Sequence, residues 1–512
     1  MRTVWPNCRG CPAKLGGPGR SHDNRVCPLN VSDWNGALVY VMQVNASSFL
    51  LASVPQTYSR FGNSDFLKII SGETPIMKKN SRHDVKVKPI LAGCCTMALA
   101  LAGCNPPEVD PVAFEPNMVY AERLKLQQEL VTDQGASLMK KPLDDAQQLL
   151  VEWFGTPDDP KIPKALQDAG YKDLFTLENL KMAAGPAPAS KEPSDHGLYR
   201  QLCVTCHGET GNGRGTTAAS QNPYPRDFRM GVFKFKSTPR NSKPARLDIV
   251  RDLKKGLAGS QMPVFDKLND KQIHALTDYV VYLSIRGELE RELLKEAAFN
   301  MELDSDPPER VYSPDGKAKN KLDEQLELAN EKLTAIADAW LNANDQVQDF
   351  PPPTEFPVDG LTENPDAAKL TESIAKGKEL FLGTVATCAK CHGESGKGDG
   401  KQPPDYDDWV KDMANAQWGV APDDMDALRP LLAIGAMKPQ PIPPRNLAEG
   451  KFRGGSDPID IFRRIRFGIA GSPMPAAALS SAPGQPGLTN DDIWHIVNFV
   501  RSLSKLEPLA NK

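Results

Sequence analysis

Cys203-Val204-Thr205-Cys206-His207-Gly208-Glu209-Thr210-Gly211-Asn212-Gly213 recurs as Cys388-Ala389-Lys390-Cys391-His392-Gly393-Glu394-Ser395-Gly396-Lys397-Gly398, which marks two copies of one module. Pro225-Arg226-Asp227-Phe228 is answered by Pro444-Arg445-Asn446-Leu447. Each is followed at the same interval by Gly-x-Phe, at Gly231 and Phe233 and at Gly450 and Phe452. Asp248-Ile249-Val250-Arg251 matches Asp460-Ile461-Phe462-Arg463, and Gly256 to Met262-Pro263 matches Gly468 to Met474-Pro475. Order is kept while the offset between copies changes, which is how a duplicated domain with altered loops behaves, because loops tolerate insertions and core elements do not. The second copy carries an insertion between His392 and Pro444, whose Trp409, Met413 and Trp418 are expected to cover the edge of the site or a partner surface.

Each copy ends on an amphipathic helical pattern. Ile273, Leu276, Tyr279, Val280 and Leu283 recur at three- and four-residue steps, and Ile493, Ile496, Phe499, Val500 and Leu503 repeat the same face. A helix is expected ahead of each cysteine pair, with Leu198-Tyr199 and Leu380-Phe381 at equivalent places. The expected fold is all-α, with one module over 194–286 and a second over 372–505. Residues 287–371 read as a linker, charged and helical through Leu322, Leu326, Ala329 and Leu333, then extended from Pro351-Pro352-Pro353. Residues 104–193 read as an N-terminal spacer with short helices, and 506–512 as a tail.

Cys-x-x-Cys-His is the attachment pattern for haem c: two thiols add across the porphyrin vinyl groups and the adjacent imidazole reaches the iron. The expected cofactors are therefore two haem c, bonded at Cys203 and Cys206 and at Cys388 and Cys391, with His207 and His392 as metal ligands. A structural zinc site would need four ligands, and each module has one cysteine pair. A redox dithiol would need a strand–helix setting that the pattern does not show. Met262 and Met474 stand in matching Gly-x-x-x-Met-Pro contexts, and a thioether is a soft ligand suited to haem iron. Met437 is the rival in the second copy but has no counterpart in the first. His274 and His495 fall one position out of register on the closing helices and His196 is unmatched, so all three read as surface or packing residues.

Of 512 residues, 25% are charged, and the formal net charge of -4 is too mild to suggest a nucleic-acid partner. Residues 77–103 read as a secretory signal, with a basic start from Met77-Lys78-Lys79, an apolar stretch from Pro89 and the ending Leu101-Ala102-Gly103-Cys104. That ending is a lipoprotein-type box, which makes Cys104 the expected lipidated first residue and 1–76 a mis-assigned start. The apolar stretch is too short to span a bilayer.

These motifs make the two modules similar to the class I cytochrome c family, over about residues 194–286 and 372–505. The resemblance implies a small helical fold around one haem, His207 and His392 as proximal ligands, and Met262 and Met474 as distal ones. It also offers Arg226 and Arg445 as partners for haem propionates. The whole chain resembles a lipid-anchored dihaem electron carrier, or the cytochrome subunit of a quinol-oxidising or dehydrogenase complex, on the periplasmic side of a bacterial membrane. Its expected donor is a quinol-oxidising complex or dehydrogenase, and its acceptor an oxidase or soluble cytochrome. A dihaem peroxidase also carries two such sites, but with one distal position open. Two equivalent methionines argue against it.

Overall fold

A computed structural model describes residues 112–185, 197–403, 405–407, 420–482 and 484–504. Residues 1–76, the signal over 77–103, Cys104, His196, Trp409, Met413 and Trp418 lie outside them. Within the described residues the chain is helical. The only strands there are Asp405–Tyr406 and Pro441–Ile442, paired antiparallel. No described helix is long and apolar enough to cross a membrane.

Helices α1 (Met118–Gln128), α2 (Lys140–Phe154) and α3 (Leu177–Ala184) precede the first module. The module itself holds α4 (Leu198–Leu202), the single turn α5 (Val204–His207), α6 (Arg246–Lys255) and α7 (Asp270–Asn300). Asn269 starts α7 with a reciprocal cap: its side chain accepts from Gln272 N at 3.0 Å, and Gln272 Oε1 accepts from Asn269 N at 3.0 Å. The helix then runs through 31 residues, roughly 46 Å at 1.5 Å per residue.

That length changes the domain picture, because α7 passes straight through residue 286 into the stretch read as linker. Tyr279 packs edge-on against Tyr199 in the module, with ring centroids 5.0 Å apart. Leu289, Leu293 and Ala297 carry the same core onward to Leu333 and Trp340 of α8 (Leu322–Leu341) and to Leu149 and Phe154 of α2. Polar ties fix this outer layer. Glu290 accepts from Asn117 N at 2.7 Å and from Gln147 Nε2 at 2.6 Å, and Arg310 holds Asp145 through two bonds of 2.7 and 3.0 Å. The described parts of 104–193 and 287–341 thus wrap the first module instead of spacing it. Their apolar stripes are long enough to need a core of their own, and the module supplies it.

The second module comprises α9 (Ala367–Leu382), α10 (Ala389–His392), α11 (Met425–Ala433), α12 (Pro458–Phe467) and α13 (Asn490–Ser504). Phe381, Phe462, Trp494, Ile496 and Phe499 form its centre. The proline-rich stretch is strapped to this module: Phe350 and Val358 join its core, and Pro351 O and Pro357 O accept from Trp494 Nε1 and Asn498 Nδ2 at 3.1 and 2.9 Å.

The two modules touch. Val119, Tyr224 and Met230 pack with Tyr406, Ile434, Ala436 and Met437. Around that patch Tyr224 Oη donates to Lys438 O at 2.9 Å and Arg214 Nη1 to Gly435 O at 2.7 Å.

Candidate functional site

The cysteine pairs sit at helix starts with room for only one turn. Cys203 follows α4, and its carbonyl accepts from Cys206 N at 3.1 Å and His207 N at 2.8 Å, so the turn of α5 brings both sulfurs and the imidazole onto one short segment. In α10 the carbonyl of Cys388 accepts from Cys391 N at 3.2 Å and His392 N at 2.9 Å. The loops that follow are congruent. Gly213 N donates to His207 O at 2.9 Å and Gly398 N to His392 O at 2.8 Å, while Phe228 N reaches Gly211 O at 2.8 Å and Leu447 N reaches Gly396 O at 2.7 Å.

These loops settle the state of the imidazoles. His207 Nδ1 lies 3.1 Å from Arg226 O, and His392 Nδ1 lies 3.1 Å from Arg445 O. A carbonyl only accepts, so each Nδ1 donates, and the Nε2 lone pair is left free for a metal. Burial pushes His207 down to about 4 and lowers His392 as well, which keeps both rings neutral at pH 7. Phe228 stacks on His207 at 4.5 Å, and Phe381 stands 6.4 Å from His392.

No disulfide joins the cysteines of either pair; Cys203 is buried, and Cys206, Cys388 and Cys391 are half-buried. Burial pushes Cys203 up to about 12 and Cys388 up to about 11, so both are protonated near neutrality. Among the described residues no group of three or more His, Cys, Asp or Glu could hold a metal ion, which leaves the zinc reading without a ligand set there. Each pair lies between helices, not after a strand as a thioredoxin-type dithiol requires.

The methionine loops are the second congruent feature. Leu257 N donates to Met262 O at 3.2 Å, and Ile469 N to Met474 O at 3.1 Å. Ser260 Oγ and Ser472 Oγ donate back to Leu257 O and Ile469 O at 2.7 and 2.9 Å. Gly256 and Gly468 open the loops with φ of 62° and 67°, ψ of -168° and -165°, a region that only glycine occupies easily. Met437, the rival to Met474, instead packs in the apolar patch between the modules.

The family model for cytochrome c matches residues 196–284 and 374–504. Both modules are cytochrome c domains. The family carries covalently bound haem c and moves electrons to and from redox proteins, and the residues here fit that group: paired cysteines, a neutral imidazole with Nε2 free, and a soft thioether on a glycine-hinged loop. A chain of the Kuenenia stuttgartiensis reducing HAO-like protein complex Kustc0457/Kustc0458 is 24% identical, over 62% of this chain and 98% of its own, with a TM-score of 0.33. No curated protein matches.

Arg226 and Arg445 reach across between the cytochrome c domains in a reciprocal way. A Cβ at Gly259 in the first methionine loop would lie 2.8 Å from Arg445 Nη2, and one at the equivalent Gly471 would lie 3.4 Å from Arg226 Nη2. Arg445 Nη2 donates to Lys451 O at 3.0 Å, while its buried Nε has no protein partner. His495 is a packing residue, with Nδ1 2.7 Å from Ser373 Oγ and its ring stacked 3.8 Å from Phe356. His274 is half-buried on α7.

Comparing the copies could not find residues without a counterpart. Arg240 is one: it belongs to the first domain and donates to three carbonyls of the second domain's methionine loop. Its only sequence signal is its place in a polar turn, Thr238-Pro239-Arg240-Asn241-Ser242.

Proposed function

We propose that this chain is a membrane-tethered dihaem c-type cytochrome that passes single electrons between respiratory redox partners. In this reading the haems are bonded at Cys203 and Cys206 and at Cys388 and Cys391. His207 with Met262 and His392 with Met474 take the axial positions, and Arg226 and Arg445 stand beside propionates. Lipid on Cys104 tethers the protein to the periplasmic side of a bacterial membrane. The donor is a quinol-oxidising complex or a dehydrogenase, and the acceptor an oxidase or soluble cytochrome.

The observation that carries the proposal is the congruence of the two sites: the same Nδ1-to-carbonyl bond and the same methionine loop in both domains. Haem c supplies reversible one-electron chemistry when bound, with sulfur ligation raising the potential. The chain's own part is to hold each imidazole in the tautomer that presents Nε2 and to hold a thioether on a stiff loop.

The test is spectroscopy on the purified protein. Electron transfer predicts two low-spin haems, each with a far-red Met-to-iron band. A high-spin haem together with turnover of peroxide would favour a dihaem peroxidase instead.

A further inference from the structure

We infer that Arg240, a side chain of the first cytochrome c domain, is the positioning residue for the Met474 loop of the second. The inference rests on the proposed reading of Met474 as a distal ligand and adds what holds that ligand in place. Arg240 Nη1 donates to Ile469 O at 2.9 Å and to Met474 O at 2.7 Å, and Nη2 donates to Ser472 O at 3.0 Å. Those carbonyls include the one belonging to Met474 itself, and a planar guanidinium fork fixes their mutual positions in a way that a single point donor cannot. Bonds from a charged donor at these lengths are about twice as strong as neutral ones.

The arm that carries Arg240 is itself held from both sides. Arg464, on α12 of the second domain, donates to Lys234 O at 3.1 Å and to Lys236 O at 2.8 Å. Lys236 Nζ then closes the turn by donating to Pro239 O and Arg240 O, each at 2.8 Å, and to Ser242 O. A continuous chain of contacts therefore runs from α12 through the first domain's turn and back to the second domain's methionine loop. The equivalent loop of the first domain is held across the interface far more lightly, by one bond of 3.1 Å from Arg453 Nη2 to Gly259 O.

Two consequences follow for the second haem site. Without the fork, Ser472 O loses its donor, Ile469 O and Met474 O keep only their bonds within the loop, and the thioether loses its fixed place. A positive charge beside the site also favours the reduced over the oxidised metal, so its removal lowers the potential.

The experiment uses the full haem-loaded chain and the variants Arg240→Gln, Arg240→Lys and Arg453→Gln. Both midpoint potentials are read by spectroelectrochemistry, together with the far-red Met-to-iron bands. The second domain's signal is assigned beforehand as the one abolished in Met474→Leu. Arg240→Gln is expected to weaken that band and lower that potential while the first domain's signals stay in place. Arg240→Lys, which keeps the charge and loses the fork, should weaken the band with a smaller fall in potential. Arg453→Gln, which leaves the Met474 loop's bonds intact, should leave the second domain's far-red band in place. Unchanged second-domain signals in a folded Arg240→Gln protein would overturn the inference, as would equal changes in both domains. If Met474→Leu abolishes no band in the first place, the ligand reading itself fails, and Arg240 has no ligand to position.

Discussion

Replacing Gly468 by alanine puts the second methionine loop under a strain that can be sized from the structure. A Cβ there would lie 2.5 Å from Pro475 C, 2.6 Å from Ala476 N and 2.7 Å from Met474 O. Ordinary contacts of this kind need about 3.3 Å, so the chain must open by somewhat under an ångström, and the obstacle is backbone that cannot rotate away. Overpacking of that sort costs about 1–3 kcal/mol. The backbone at φ 67° and ψ -165° adds about 1–3 kcal/mol for any residue with a Cβ. A loss near 3 kcal/mol or more is expected. With a urea slope of about 1–3 kcal/mol/M, the second domain's midpoint falls by about 1–3 M. Because the clash is with Met474 and its neighbours, the far-red band of that haem should fade at urea concentrations where the wild type is intact. Gly256→Ala, against Pro263 and Met262, should do the same to the first haem. As a control, Gly170→Ala places a Cβ with nothing within 4 Å and should leave both bands and both midpoints alone. Normal bands and midpoints in Gly468→Ala would refute the placement of this loop.

Met437→Leu should leave both far-red bands unchanged, because Met437 packs between the domains; loss of the second band would make it the ligand. In chain isolated before haem attachment, alkylation of Cys203 by iodoacetamide should be slow at pH 8, because burial pushes the thiol up to about 12, and should climb with pH without levelling off below pH 10. A plateau near pH 9 would show that the thiol is not buried as described. Asp145→Ala removes two of the bonds to Arg310 and leaves it Asp315 and Ser313, and should cost about 1–3 kcal/mol in chemical denaturation. A change below about 0.5 kcal/mol, the range of ordinary surface substitutions, would mean the pair is not buried in solution.

The sequence carried the haem motifs, the two-copy plan, the all-helical class and the paired methionines, because each is written locally and then written again. Cys203 to Gly213 needs no distant residue to be recognised, and its recurrence at Cys388 makes chance a poor explanation. Contacts made once escape that test. Arg240 has no partner in the repeat, and its three acceptors lie more than 200 residues away, so only the packing of the domains reveals it. The long α7 was hidden for another reason: the stretch from Gly287 reads as charged and helical, but nothing in the pattern says that it continues the closing helix of the first module. Gly287 lies inside that helix, where Arg229 packs so closely that a side chain would not fit. The stretch read as a helical and Pro-rich linker, 287–371, is helical where expected but packs on the modules it joins. A charged amphipathic helix such as α8 looks solvent-exposed until the core that receives its apolar stripe is known. Likewise the proline run at 351–353 read as the start of an extended linker, and the donors that hold this stretch to the module, Trp494 on Pro351 O and Asn498 on Pro357 O, lie more than 140 residues away.

The most direct test is to digest the mature protein and weigh the peptides that contain Cys203 to His207 and Cys388 to His392. Covalent attachment at both pairs predicts that each peptide carries one haem, giving two per chain by absorbance of the intact protein. A chain with unmodified thiols at either pair, or one that stays colourless after maturation, contradicts it.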